Sequence, residues 1–247
     1  MLKDITLGQY FPGDTVVHRL DPRTKLLLVI IYIVGLFNSV GWASYAFVIL
    51  VTALSMAISK IKPRSALKGL KPLVIIIILT AVLNIFYTDG TPIVEGWIIT
   101  WEGIERAVMM SLRIILLIVG TFMLTYTTSP IALTDGLEIM MGPLKKIKIP
   151  VHEMSMMMSM ALRFIPTLIE ETDKIMSAQK ARGADFDSGN LFQRAKALLP
   201  ILVPLFVSAF RRADELAVAM ESRCYHGGEG RTRMKQLKMQ RIDAWAL

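Results

Sequence analysis

Apolar and polar positions follow two different regimes along this chain. In the first half the apolar runs are continuous. No residue from 26 to 59 is charged. As a single helix that stretch would run about 50 Å, against a hydrocarbon core of roughly 30 Å. Asn38-Ser39-Val40-Gly41 supplies turn chemistry in its middle, and Trp42 and Tyr45 supply aromatics suited to a membrane interface. The pattern predicts two short spans joined by a tight turn. A third span is expected over 72–88, with a β-branched run at 74–78, and a fourth over about 109–128. Arg113 falls near the start of the fourth, where it can snorkel to headgroups or face a protein neighbour.

In the second half the period changes. Met154, Met157, Met158, Ala161, Leu162, Ile165, Leu168, Ile169, Thr172, Ile175 and Met176 recur at three and four. Ser159, Arg163, Glu170, Asp173 and Lys174 take the opposite face. That is an amphipathic helix and not a span. Gly183 suits a left-handed stop, residues 185–190 read as a polar turn, and Asn190 is a fitting N-cap for a further helix. That helical region starts near Leu191. Its uncharged core, 197–210, would reach only about 21 Å, and Pro200 and Pro204 would bend it. Beyond, Phe206, Phe210, Ala213, Leu216, Ala217 and Met220 continue one apolar face, while Arg211, Arg212, Asp214, Glu215 and Glu221 occupy the other.

Composition places the chain in a membrane. Apolar residues make up 53% of it and charged residues 19%, with a mean hydropathy of +0.51. The net charge of +8 would suggest nucleic acid in a soluble protein. Here the basic residues gather in loops beside apolar segments, and no nucleic-acid module accompanies them, so the positive-inside rule accounts for them. Lys60, Lys62, Arg64, Lys68 and Lys71 mark a cytoplasmic loop, and Asp89, Glu95, Glu102 and Glu105 an external one. The N-terminus and everything after residue 128 then lie in the cytoplasm. The later basic residues Lys145, Lys146 and Lys148, and the stretch 231–241, agree. A single cysteine, Cys224, forms no internal disulfide, and the charged first 25 residues lack a signal-peptide core. The expected fold is all-α: a polytopic membrane protein with N-terminal transmembrane helices and two long cytoplasmic amphipathic helices. Its expected regions are 1–128 with about four spans, 129–230 with the two helices, and 231–247 as a basic segment.

Two short motifs end the amphipathic stretches, Ala181-Arg182-Gly183 and Ser222-Arg223-Cys224. An arginine at a helix C-terminus interacts favourably with the dipole, by about 0.3–1 kcal/mol. Two such arginines, each with a small neighbour, suit a second purpose: a guanidinium fork makes directional contacts with acidic side chains or carbonyls in a partner's groove. No chemistry of the chain's own competes with this reading. His152-Glu153 does not open a zinc-protease motif, since Met156 stands where the second histidine would be. His18, His152 and His226 have no ligand-spaced companions, so neither a metal site nor a catalytic residue is expected. No phosphate-loop motif occurs, and Gly227-Gly228-Glu229-Gly230 lacks the preceding strand of a phosphate cradle.

The segments from Leu162-Arg163-Phe164-Ile165-Pro166 through Ala181-Arg182-Gly183-Ala184, and from Ala219 to Tyr225 with the later Gly227-Gly228-Glu229-Gly230-Arg231, resemble the transmembrane T component of energy-coupling factor transporters. That family carries two Ala-Arg-Gly-type motifs at the ends of its coupling helices. The first is intact here. The second reads Ser222-Arg223-Cys224 and keeps the arginine. The resemblance implies a non-catalytic scaffold of an ABC-type vitamin or micronutrient importer in the bacterial cytoplasmic membrane. Its implied partners are two cytoplasmic ATPases, one per arginine, and a membrane substrate-binding S component, one of several interchangeable ones. ATP and magnesium would be bound by the ATPases, with no cofactor in this chain. Met154, Met157, Met158, Ala161 and Ile165 would face the S component or the core, and methionine's adaptable side chain suits a surface that repacks against several partners. The family pattern also places a final membrane helix after the basic stretch, where 231–247 leads to a helix that is absent or truncated. The alternative is a conventional ABC permease subunit with its own substrate path, which would line its spans with polar or charged residues. The first three spans carry no charge.

Overall fold

The structure, a computed structural model, describes residues 10–92, 99–186, 190–227, 237 and 239–246. Part of the acidic loop (93–98), most of the glycine-rich stretch after Gly227 and the basic stretch 231–236 lie outside the described residues. The described residues are helical, in the order α1 (Val16–Arg19), α2 (Pro22–Asn38), α3 (Trp42–Ser59), α4 (Pro63–Leu70), α5 (Val74–Tyr87), α6 (Trp101–Thr127), α7 (Pro130–Met140), α8 (Val151–Ala181), α9 (Leu191–Glu221) and α10 (Arg241–Ala246). The described residues divide into two compact units, one holding those up to 136 together with 237 and 239–246, the other those of 137–227.

In the first unit α6 is the axis, with α2, α3, α4 and α5 packed around it. Leu116 joins Leu36 of α2 and Tyr45 of α3 in one buried cluster. Ile118 and Val119 join Leu70 in a second, with Ile77 of α5 against it. One helix thus turns a face to each neighbour. Close approach is possible because of two glycines. A Cβ on Gly120 would lie 2.3 Å from the Tyr32 ring of α2, and one on Gly69 would lie 2.1 Å from the Phe122 ring. The Tyr32 hydroxyl uses this proximity, donating to the Leu116 carbonyl at 2.9 Å and sharing a hydrogen bond with Thr52 of α3 at 3.0 Å. Arg113 is committed to protein. Its Nε donates to the Tyr45 hydroxyl at 2.9 Å, its Nη2 donates to the Ser39 carbonyl at 3.3 Å, and its guanidinium lies over the Phe37 and Tyr45 rings. The α2–α3 turn is thereby tied to α6.

The helix ends obey local chemistry. Asp21 caps α2 through the Arg23 N–H, with Pro22 at the first helical position. Gly41 opens α3 at φ +81°. Thr100 caps α6 by accepting the Gly103 N–H at 3.1 Å, and Glu102 sits in its first turn, where the dipole favours a negative charge. The span expected over about 109–128 falls on α6, which begins earlier, at Trp101, so Glu102 and Glu105, expected in the acidic loop, are helical and that loop is shorter. Charge marks where an apolar run stops, but the cap decides where the helix does. Among the described residues, α3 and α6 are long and apolar enough to cross a membrane by themselves, while the apolar helical stretch Lys71–Tyr87 is shorter and α2 has 17 residues.

Buried charge closes the start of α2. Lys25 Nζ donates to the Thr127 carbonyl at 2.8 Å and the His18 carbonyl at 3.1 Å. Asp243 of α10 accepts the Asp21 N–H at 2.8 Å and the Gln240 N–H at 2.7 Å, and Arg23 donates to the Leu237 carbonyl at 3.2 Å. The α10 segment is thus fastened to the beginning of α2.

Because Tyr32 fills the space that a side chain at 120 would need, Gly120→Val should displace the ring and lose its bonds to α6 and α3. A destabilisation of about 1–3 kcal/mol is expected. It is checked by the thermal unfolding midpoint in detergent, and an unchanged midpoint would contradict the close packing.

Candidate functional site

The second unit is built on α8 and α9, each of 31 residues. Both contain internal proline: Pro166 in α8, Pro200 and Pro204 in α9. Proline has no N–H, so Pro204 leaves the carbonyl of Pro200 without its helical donor. The Gln179 side chain of α8 supplies one, donating to that carbonyl at 3.4 Å. A helix-weakening residue in one arm thus becomes a tether to the other, beside the first arginine motif.

A second tether lies further along. Glu171 of α8 accepts the Ser208 hydroxyl on one carboxylate oxygen and Arg212 Nη2 on the other, the latter at 3.0 Å. The Ser208 hydroxyl, with a smaller contribution from the charge of Arg212, holds the Glu171 carboxyl below the usual carboxylate range. Arg212 therefore does not belong with the outward polar face to which its spacing assigns it. It turns to α8, where Glu171 and Ser208 receive it. The start of α9 is also made locally. The Gln193 side chain accepts the Asn190 N–H at 3.1 Å, the returning half of a capping box.

Both helices end in the same backbone motif. After α8, the Gly183 N–H bonds to the Lys180 carbonyl and the Ala184 N–H to the Gln179 carbonyl, each at 3.0 Å. After α9, the Cys224 N–H bonds to the Glu221 carbonyl at 2.9 Å and the Tyr225 N–H to the Met220 carbonyl at 3.0 Å. These paired bonds form a Schellman end, which needs one left-handed residue. Gly183 takes it at φ +86° and Cys224 at φ +54°. The two motifs are equivalent position for position, and in each the arginine comes just before the left-handed residue. Cysteine departs from the glycine pattern in composition, not in backbone role. Spacing alone had no means of showing this, because Cys224 carries none of the freedom that makes Gly183 recognisable.

Since main-chain groups satisfy these helix ends, the arginine side chains are not needed as caps. Arg182 and Arg223 are exposed, as are Ala181, Gly183, Ser222 and Cys224. Among the described residues neither guanidinium has an ion-pair or hydrogen-bond partner. The methionine stripe is open too. Met154, Met157 and Met158 are 47%, 57% and 55% exposed, Ala161 is exposed and Ile165 is half-buried. Towards the C-terminal end of the same face, Leu168, Ile169, Thr172, Ile175 and Met176 are half-buried. On α9, Phe206 and Phe210 of the predicted apolar face are exposed as well. The stripe and the first motif occupy opposite ends of α8. Among the described residues no three His, Cys, Asp or Glu side chains gather to hold a metal.

Residues 13–234 match the family described as cobalt transport protein. The energy-coupling factor transporter transmembrane protein of Clostridium kluyveri is 57% identical over 247 residues, covering 98% of this chain and 92% of that one. The protein of the same name from Thermosediminibacter oceani is 58% identical over 245 residues, with the same coverage. That from Bacillus subtilis is 49% identical over 240 residues, covering 96% of this chain and 91% of that one.

A left-handed cysteine is held against its preference, whereas glycine is relaxed there. Cys224→Gly should therefore stabilise the α9 end by roughly 1 kcal/mol, and Gly183→Ala should destabilise the α8 end by about 1–2 kcal/mol. Thermal unfolding of the two variants checks both signs. Shifts in the same direction would refute the equivalence of the two ends.

Proposed function

The chain belongs to the cobalt transport protein family, with energy-coupling factor transmembrane proteins among its relatives, and from that membership we propose how its two units divide the work of a transporter. It is the transmembrane scaffold subunit of an energy-coupling factor importer. The first unit is the membrane platform, and α8 and α9 are coupling arms. Arg182 and Arg223 each enter a groove on one of two cytoplasmic ATPases, which bind ATP and magnesium. The chain itself carries out no chemistry. Closing of the ATPase pair moves the arms, and the arms tilt a substrate-binding S component between outward- and inward-facing poses. The stripe of Met154, Met157, Met158, Ala161 and Ile165 is the surface for that component, and the S component chooses the vitamin or micronutrient.

One observation carries this reading: two arginines stand at equivalent, self-satisfied helix ends with their guanidinium groups uncommitted. A residue used for capping would be engaged with carbonyls. The tethers through Glu171 and Gln179 make the pair of arms stiff enough to transmit displacement rather than absorb it.

A desolvated, hydrogen-bonded interface arginine is often worth about 2–4 kcal/mol, or roughly thirty- to a thousand-fold in affinity. Arg182→Ala or Arg223→Ala alone should leave an assembly that couples poorly, since the second site holds it together. The double variant should lose the ATPases, and lysine should rescue only in part. Pull-down and substrate uptake, with membrane insertion checked in parallel, test this. The same uptake assay with several S components tests the stripe: multiple Met→Leu changes over 154–160 should impair some S components more than others. Normal ATPase retention in the double arginine variant, or equal uptake through every S component, would overturn the respective role.

We also assign the basic 60–71 loop and both arms to the cytoplasm, in the bacterial cytoplasmic membrane, on the distribution of lysine and arginine. In a Cys224→Ser background, an impermeant thiol reagent on intact cells should label Asp89→Cys and spare Lys146→Cys. The reverse pattern would invert the topology.

A further inference from the structure

Two clefts of the membrane unit meet at Ile58, in the last turn of α3. One, of about 690 Å³, opens beside the end of that helix and is lined by Phe11, Ile58, Lys60, Ile61 and Lys62, among others. His18 also lines it, but its ring is engaged: Nε2 donates to the Phe11 carbonyl at 3.1 Å, and Nδ1 then accepts the Thr15 hydroxyl at 2.6 Å. Lys60 and Lys62 are the lysines among the described lining residues. Asp14 is the one carboxylate among the described lining residues.

The second cleft, of about 510 Å³, runs between α2, α3 and α6 and is lined mainly by apolar side chains, including Leu28, Val29, Leu54, Ile58 and Leu124. It lies along helices that the chain buries in the bilayer. On the outer surface of α3, Phe47, Leu50, Leu54 and Ile58 form an exposed stripe at helical spacing that ends at the same junction. A cleft carrying two lysines at a helix end therefore shares Ile58 with an apolar groove along α2, α3 and α6.

Lys60 adds a third observation. It holds the left-handed position that ends α3, at φ +54°. Glycine is the relaxed residue there, so lysine is kept against backbone preference.

We infer that this paired cleft binds an anionic phospholipid, with the headgroup phosphate at Lys60 and Lys62 and an acyl chain in the apolar groove. Two cations against one carboxylate favour a net negative headgroup over a zwitterionic one. The adjoining groove favours a lipid over a free phosphate, which would leave it unused. The inference rests on the membrane placement of α3 and is independent of whether the arginine motifs dock ATPases.

The test uses the full chain purified with the subunits it assembles with. The complex is delipidated and titrated with phosphatidylglycerol, phosphatidylcholine or glycerol phosphate, and bound lipid is read by native mass spectrometry. Phosphatidylglycerol should bind selectively and resist displacement by either competitor. A lysine near an anionic lipid surface contributes about fivefold, so Lys60→Gly and Lys62→Gln should each weaken retention by about that factor, and together by about 25-fold. Lys60→Gly removes a cation while relaxing the backbone, so its loss of lipid cannot be ascribed to misfolding. Asp14→Asn should tighten retention. Equal binding of phosphatidylcholine, displacement by glycerol phosphate at comparable concentration, or unchanged retention in the double lysine variant would overturn the proposal.

Discussion

A helix ends in carbonyls that have no partner of their own, and the way α8 and α9 meet that requirement sets the form of both helix ends. Each closes on itself through two main-chain bonds around a left-handed residue, Gly183 in one and Cys224 in the other. With the carbonyls satisfied, the arginine before each left-handed residue is released from capping and stands in solvent. The turn also fixes where that arginine sits relative to its helix axis. Two long helices thus end in the same turn, each with an exposed arginine.

Between those ends polar contacts join α8 to α9, while much of the apolar surface of α9 is open. Pro204 frees a carbonyl that Gln179 occupies, and Glu171 collects both Ser208 and Arg212. Such contacts hold two amphipathic helices in register while leaving their apolar faces to other surfaces. The exposed methionines and phenylalanines are then a consequence of the design.

The membrane unit uses the opposite strategy. Apolar side chains gain little from packing against one another in lipid, so close contact and polar ties decide the arrangement. Gly120 admits Tyr32, whose hydroxyl joins three helices, and Arg113 ties the α2–α3 turn to α6. A guanidinium in such a setting is tolerated because Tyr45, Ser39 and two aromatic faces receive it.

Several features were legible in the sequence because they rest on local physics. An uncharged stretch too long for one span has to break, and it does so at 38–41. A period of three and four has to make an amphipathic helix, and α8 is one. A glycine after such a helix has to be its left-handed stop, and Gly183 is. Two arginines at helix ends were visible for the same reason. Other features depended on which residues meet across elements, which no single-chain pattern encodes. Tertiary structure turned Arg212 inward, because Glu171 waits on the neighbouring helix. It gave Gln179 a purpose, because Pro204 had emptied a carbonyl opposite. It started α6 at Trp101, because the Thr100 cap closes the helix start and the helix dipole accepts Glu102 in the first turn. It placed Cys224 in glycine's conformation, because the chain beyond α9 closes the same pair of bonds. Periodicity tells which face of a helix is apolar, and only the partner helix tells which polar residue that face must also accommodate.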